Sequence, residues 1–324
     1  MCTAVSFQTK DHYFGRNLDL EFSYHETVTI TPRKFPLEFR KVPALKNHYA
    51  MIGVAYVVDD YPLYYDAVNE KGLAIAGLNF PGNAHYRTEL AGMDNISPFE
   101  LIPWLLGQCA DLEQVRQKLS RLNLAAIDFS GELPLSPLHW MVSDKSGSLV
   151  VEAMKDGIHI CGNPAGVLTN NPPFDFQMYH LANYMGLTGD VPENRFSKAI
   201  PLSPCSRGMG AMGLPGDLSS MSRFVRAAFV RANSLCGESE EESVSQFFHI
   251  LAAVEQQRGC VRLEDGKNEI TVYSSCCNAD RGIYYYRTYE NSQISGVDMH
   301  RENLDGEQLV SYPLIREQQF RMQN

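Results

Sequence analysis

The second residue is a cysteine, Cys2, directly behind the initiator methionine. Trimming of Met1 would place a thiol and a free α-amino group on the same residue. An α-amine titrates at roughly 7.7–8 and a free cysteine at about 8.5. Near neutral pH the two groups can therefore share one proton, the amine as base and the sulfur as nucleophile. N-terminal threonine activated by its own amine is an established nucleophile, and thiolate is intrinsically more reactive. The competing reading is a small residue at the start of a first strand, and the rest of the chain weighs against it.

Five polar clusters could gather around that thiol. Gly15-Arg16-Asn17-Leu18-Asp19 ends the strand expected to pair with Cys2. There a guanidinium from Arg16 would favour the thiolate, and the Asp19 carboxylate could orient the ammonium; a surface ion pair is the plainer option. Gly77-Leu78-Asn79-Phe80-Pro81 and Leu168-Thr169-Asn170-Asn171-Pro172 each place an asparagine after an apolar strand. Asn79 and Asn170 could donate hydrogen bonds to an oxyanion, or serve the turns before proline. Gly213-Leu214-Pro215-Gly216-Asp217 leads into a helix carrying Arg223, a residue suited to hold a constellation together or to cap the fold. Cys205-Ser206-Arg207-Gly208-Met209-Gly210 reads as a mobile pocket wall bearing Arg207.

The elements that must position these residues alternate in blocks. Cys2–Gln8 and His12–Leu18 read as a hairpin across Thr9-Lys10-Asp11, and 26–32, 49–58 and 73–78 as further strands. Ser97-Pro98-Phe99-Glu100 is a capping box opening a helix to about Cys109. A second helix starts near Asp111, with Leu112, Val115, Leu119 and Leu122 on one face. Strands return at 138–143, 149–154 and 158–161, helical periodicity at about 220–235 and 243–257, and strands again at 270–275, 283–289 and 293–298. The polar stretch at 187–200 reads as a loop or small excursion. Strand blocks joined by tight turns, without regular βαβ units, predict α+β architecture with antiparallel sheets. No internal repeat or low-complexity linker divides the chain, which predicts one domain over 1–324.

Composition narrows the function classes. Hydrophobic residues make up 44% and charged residues 20%, ordinary for a globular domain. The net charge of −10, from 28 basic and 38 acidic residues, disfavours nucleic acid. No stretch approaches a membrane-spanning length and the N-terminus lacks a secretory pattern, so the expected compartment is the cytoplasm. The eight cysteines then read as thiols, with Cys276-Cys277 packed in a strand. Neither a C-x-x-C nor an H-E-x-x-H spacing suggests a metal.

Taken together, Cys2, GRNLD (15–19), GLNFPG (77–82), LTNNPPFDF (168–176), GLPGD…SRF (213–224) and YSSCC…GIYYYRTYENSQI (273–294) resemble the choloylglycine hydrolase family. Within it the chain is most similar to the bacterial bile salt hydrolases. The resemblance runs from residue 2 to about 305. It implies an N-terminal-nucleophile hydrolase with a four-layer αββα sandwich of two antiparallel sheets between helices. It implies hydrolysis of the amide joining a bile acid to glycine or taurine, without cofactor or metal, after removal of Met1 alone. By the same resemblance, Cys2 is nucleophile and carries the base, Arg16 and Asp19 tune and orient it, Asn79 and Asn170 serve the oxyanion, and Arg223 supports the site. Leu18, Val58, Phe129, Leu133 and Leu138 are expected to line the steroid pocket, and His139 to be a satisfied buried histidine. An arginine at 207, in a loop whose variation accompanies amino-acid preference in the family, suggests taurine. The substrate is then a small molecule, with no nucleic-acid or membrane partner and a homo-tetramer by family analogy. Penicillin V acylase activity, a non-catalytic steroid-binding module and a thiol redox protein are the alternatives.

Overall fold

The computed structural model describes residues 1–324. In chain order the strands are β1 (Cys2–Gln8), β2 (His12–Leu20), β3 (Thr27–Thr31), β4 (Met51–Val58), β5 (Tyr61–Asn69) and β6 (Ala74–Asn79), then a short pair, β7 (Asp94–Ile96) and β8 (Leu122–Leu124). After these come β9 (Leu138–Asp144), β10 (Gly147–Met154), β11 (Gly157–Gly162), β12 (Val167–Leu168), β13 (Ile270–Asn278), β14 (Ile283–Thr288), β15 (Ser295–Asp298) and β16 (Val310–Pro313). The helices are α1 (Leu101–Leu106), α2 (Leu112–Leu119), α3 (Phe174–Leu181), α4 (Ser220–Asn233) and α5 (Glu240–Ala252).

Two antiparallel sheets stack face to face. One has the order β12-β1-β2-β13-β14-β15 and the other β11-β10-β9-β6-β5-β4-β3-β16. Helices α4 and α5 cover the outside of the first sheet through Phe224, Ala227, Phe247 and Leu251, which join the inter-sheet residues in one core. Helices α1 and α2 cover the second sheet, packing Leu101, Leu105 and Val115 with Ile75, Trp140 and Val142 in a separate core. Each such fully buried Leu or Phe contributes about 1.5–3 kcal/mol. The four-layer αββα arrangement expected from the sequence is therefore the observed one.

The β1–β2 hairpin closes over Thr9 and Asp11, and its register pairs Cys2 with Leu18, Thr3 with Asn17 and Ala4 with Arg16. Gly15 lets β13 come close: a Cβ there would sit 1.9 Å from the Ser275 carbonyl oxygen. The capping box holds too, with Glu100 accepting from the Ser97 amide at 2.8 Å.

Some boundaries differ from the sequence reading. The first helix ends at Leu106 rather than near Cys109, at Gly107. The second stops at Leu119, so Leu122 is not on its face but in β8, parallel to β7. The last helix begins earlier, at Glu240 behind the Ser239–Glu242 capping box, and ends at Ala252 rather than 257. Strands β5, β7 and β16 and helix α3 are not among the elements expected from the sequence. Residues 187–200 form neither helix nor strand, and Cys276 and Cys277 are buried in β13.

Candidate active site

Cys2 lies at the start of β1, 3% exposed, between the two sheets' edges. In the antiparallel register, directly opposed side chains share a face, as do alternate residues along a strand. Cys2, Ala4, Arg16 and Leu18 therefore face the inter-sheet layer, and Thr3, Asn17 and Asp19 face the helices. The two arginines expected near the thiol approach from opposite sides of one sheet.

Arg16 comes from the inter-sheet side. It is fully buried, and its Nη1 donates to the carbonyls of Gly77 (2.5 Å) and Tyr65 (3.0 Å). Burial works against its charge, but the facing Cys2, Tyr273, Asp66 and Asp19 groups outweigh it and raise its pKa. Arg223 comes from the first turn of α4, which Ser219 caps. Its Nη1 donates to the Cys2 carbonyl and to Thr3 Oγ1, both at 2.6 Å, and its Nη2 to Asn170 Oδ1 at 2.8 Å. Burial lowers its pKa, opposed by Asp19 and Cys2.

Asp19 sits 4.0 Å from Arg223 and accepts from Thr271 Oγ1 at 2.6 Å. Burial pushes its carboxyl above the usual range, against Arg223, the N-terminal ammonium, Thr271 and Arg16. Strand β12 pairs with β1, Leu168 opposite Ala4, and so delivers Asn170 to the cysteine backbone. Asn170 Oδ1 accepts from the Cys2 nitrogen at 2.8 Å, and its Nδ2 donates to the Asn79 carbonyl at 2.7 Å. Asn79 ends β6 with an exposed side chain.

Met1 precedes Cys2 in the structure described. Its ammonium donates to the Asp19 carbonyl at 2.9 Å and pairs with Glu269, and the Cys2 nitrogen is a peptide amide. Two buried polar atoms of the site make no hydrogen bond: Arg16 Nη2, and Asp19 Oδ2, which faces Arg223 Nη1 at 4.0 Å.

The expected substrate-lining residues divide. Leu18 is opposite Cys2, and Val58 follows Tyr56 by two residues on β4. Phe129 packs on Tyr61 (centroids 5.7 Å apart) and Phe99 (5.3 Å) under the Arg40 guanidinium, on a cavity of about 760 Å³ that Cys2 does not line. Tyr61 pairs with Val58 in the β4–β5 hairpin, so Phe129 borders the region without touching the thiol. Leu133 is half-buried in its loop, its backbone bonded to Ser130. Leu138 faces the wrong way for a steroid beside Cys2: it packs with the outer core near Trp140, while its neighbour His139 points inward. Arg207 is exposed, and no contact brings it to the cysteine. The sequence reading missed a row of aromatic rings that begins in the segment following β2. Phe22, Tyr24 and Tyr56 form a line of rings 4.7 and 5.8 Å apart, and Tyr65 packs on the inter-sheet core. Aromatic residues scattered over the segment after β2 and over β4 and β5 carry no local signal of that convergence.

A family model described as linear amide C–N hydrolases, choloylglycine hydrolase family, matches residues 2–312. The chain belongs to the choloylglycine hydrolase family. It is 59% identical over 320 residues to a bile salt hydrolase/transferase of Lactiplantibacillus plantarum, covering 99% of each chain. A bile salt hydrolase/transferase of Clostridium perfringens is 40% identical over 96% of each. A crystal structure of a conjugated bile acid hydrolase variant from Clostridium perfringens superposes with a TM-score of 0.92 at 38% identity, covering all of both chains. Penicillin V acylase from Agrobacterium tumefaciens shares the fold, with a TM-score of 0.75 at 20% identity over 96% of this chain and 91% of its own. For this choloylglycine hydrolase family member, the reaction class is hydrolysis of a linear amide. No helix is long and apolar enough to cross a membrane, and no group of three or more His, Cys, Asp or Glu side chains is placed to hold a metal ion.

Proposed function

We propose that this enzyme hydrolyses the amide of glycine- and taurine-conjugated bile salts through a thioester on Cys2. The observation that carries the site assignment is Asn170 holding the Cys2 nitrogen while the Asp19–Arg223 pair and the Arg16 guanidinium flank the same strand pair from its two faces. With Met1 gone, the Cys2 nitrogen becomes an amine held by Asn170 and oriented by Asp19 and Arg223, and Arg16 favours the thiolate. The sulfur adds to the amide carbonyl carbon, and the carbonyl electrons move to an oxygen held by donors at Asn79 and Asn170. Asn170 has one Nδ2 hydrogen left for that task, because the other is spent on the Asn79 carbonyl. The Cys2 ammonium gives its proton to the departing nitrogen as the C–N bond breaks. The same amine then takes a proton from water, hydroxide adds to the thioester, and the C–S bond breaks to free the bile acid.

An amine can attack that thioester in place of water, which fits the hydrolase/transferase name of the relatives. The apolar steroid plate is placed against Leu18, Val58, Tyr24, Tyr56 and Tyr65, with Phe129 and Leu133 bordering it; aromatic and aliphatic walls are what such a ligand requires. Eight free cysteines suit a reducing, cytoplasmic setting. Phe176, Tyr179, Met185, Val191, Phe196 and Met212 are each at least 66% exposed. Bare apolar side chains in the 176–212 segment suit an association surface, in keeping with a homo-oligomer, with a tetramer the family's expectation.

Arg207 is assigned to conjugate choice: an arginine fork can donate two hydrogen bonds to a sulfonate. Turnover of taurocholate, glycocholate and penicillin V by the parent and by Arg207→Ala tests both readings at once. The parent should cleave both conjugates faster than penicillin V, and Arg207→Ala should lower the taurine-to-glycine ratio of kcat/KM about tenfold, the worth of one lost charge-assisted hydrogen bond. Faster cleavage of penicillin V would refute the substrate class. An unchanged ratio would remove Arg207 from recognition.

A further inference from the structure

We propose that His139 is a positioning residue for the oxyanion contacts, tying the asparagine turn after β6 to the one after β12 through a single buried ring. This rests on the reading of Asn79 and Asn170 above. His139 is fully buried on β9, paired with Leu78 of β6. Its ring stacks on Phe80, the residue after Asn79, with centroids 4.2 Å apart and planes 5° from parallel. Its Nε2 lies 2.9 Å from the carbonyl oxygen of Thr169, the residue before Asn170. Its Nδ1 lies 3.0 Å from Glu152 Oε1, and Glu152 also accepts from the Phe174 amide at the start of α3, at 3.0 Å.

The chemistry of the acceptors determines what the ring does. A carbonyl oxygen can only accept, so Nε2 carries a hydrogen. Glu152 already accepts from Phe174, and its contact with Nδ1 needs one proton shared between the pair. His139 is thus locked at both ring nitrogens and on one face, which leaves it neither lone pair nor access to act as a base. What it does instead is brace, from the buried side, two loops that reach the cysteine from different sheets. Gln177 supports the second loop from α3, donating to the Asn170 carbonyl at 2.6 Å. The two turns also meet directly, Asn170 Nδ2 donating to the Asn79 carbonyl and Asn171 Nδ2 to the Pro81 carbonyl at 2.6 Å, and His139 ties them from the buried side. Misplacing a reacting contact by about 1 Å from outside the chemistry can cost on the order of 10²-fold in rate.

The test separates the oxyanion from the nucleophile. Alkylation of Cys2 by iodoacetamide is a displacement at carbon with no oxyanion, so it reports thiolate reactivity alone. The double variant His139→Phe/Glu152→Gln keeps a ring on Phe80, removes both hydrogen bonds and strands no buried charge. Its kcat for a conjugated bile salt should fall by about 10–100-fold, with KM and the alkylation rate within about threefold of the parent. Should that variant fail to fold, His139→Gln, which keeps a donor for Thr169 but loses the stack, is expected to show the same pattern at smaller amplitude. Asn79→Ala provides the reference, with a loss of about 10²–10³. Amide turnover and alkylation falling together, or undiminished kcat in the His139 variants beside a crippled Asn79→Ala, would overturn the positioning role. Full turnover in Asn79→Ala would instead overturn the oxyanion reading, and this inference with it.

Discussion

Cys2→Ser lowers kcat on conjugated bile salts by at least about 10³-fold, on a scale where deleting a nucleophile outright reaches about 10⁶. The hydroxyl of serine ionises far less readily than a thiol, and the site around residue 2 is built for an anion. Arg16 and Arg223 bear on the same residue from the two faces of the β1–β2 hairpin, and the Arg16 fork still has a free Nη2. A neutral hydroxyl gains little from either. The substitution changes one buried atom, so the melting temperature should hold while single-turnover acylation collapses. A rate within tenfold of the parent would mean that sulfur is not the attacking atom.

Arg223→Met should be the most damaging change that leaves the reacting atoms in place. The side chain is fully buried and makes four hydrogen bonds, to Cys2, Thr3, Asn170 and Leu218. Removing it strands the Oδ2 of Asp19, which is itself fully buried and faces Arg223 at 4.0 Å. Breaking a buried pair by deleting one partner costs about 3–5 kcal/mol, readable as a lowered urea midpoint with an unchanged slope. The double variant Arg223→Met/Asp19→Asn removes the stranded charge and should regain much of that stability. It should not regain activity, because the Cys2 carbonyl and Asn170 both lose their anchor. If the double variant matched the parent in turnover, Arg223 would be a structural residue only.

These effects were legible in the sequence to different depths. Cys2, Arg16 and Asp19 could be placed together because a short hairpin sets its register through its own turn, and that register is local information. The side from which each acts could not, since it depends on a face alternation that only the stacked second sheet and α4 make meaningful. Asn170 was legible as a polar residue after an apolar strand, but its acceptor role toward the Cys2 nitrogen follows from β12 pairing with β1 across more than 160 intervening residues. Leu138 shows the limit from the other direction. Adjacency to His139-Trp140 suggested the pocket, yet a one-residue step along a strand reverses the face, and Leu138 packs outward. Helix α3 escaped because Pro172-Pro173 and its exposed Phe176 and Tyr179 mask the apolar stripe that normally reveals a helix. The sheets themselves were readable, since alternation and turn residues repeat along the chain.

The claim beneath all of this is that the amine of Cys2 is a catalytic group and must be free. The direct measurement is to express the chain with a short extension ahead of Cys2, removable by a site-specific protease whose cut leaves Cys2 first, and to follow deconjugation and intact mass together. The account expects negligible turnover before the cut and full turnover afterwards, rising in step with the fraction of molecules whose mass begins at Cys2. Equal turnover by the uncut protein, homogeneous by mass, would contradict it.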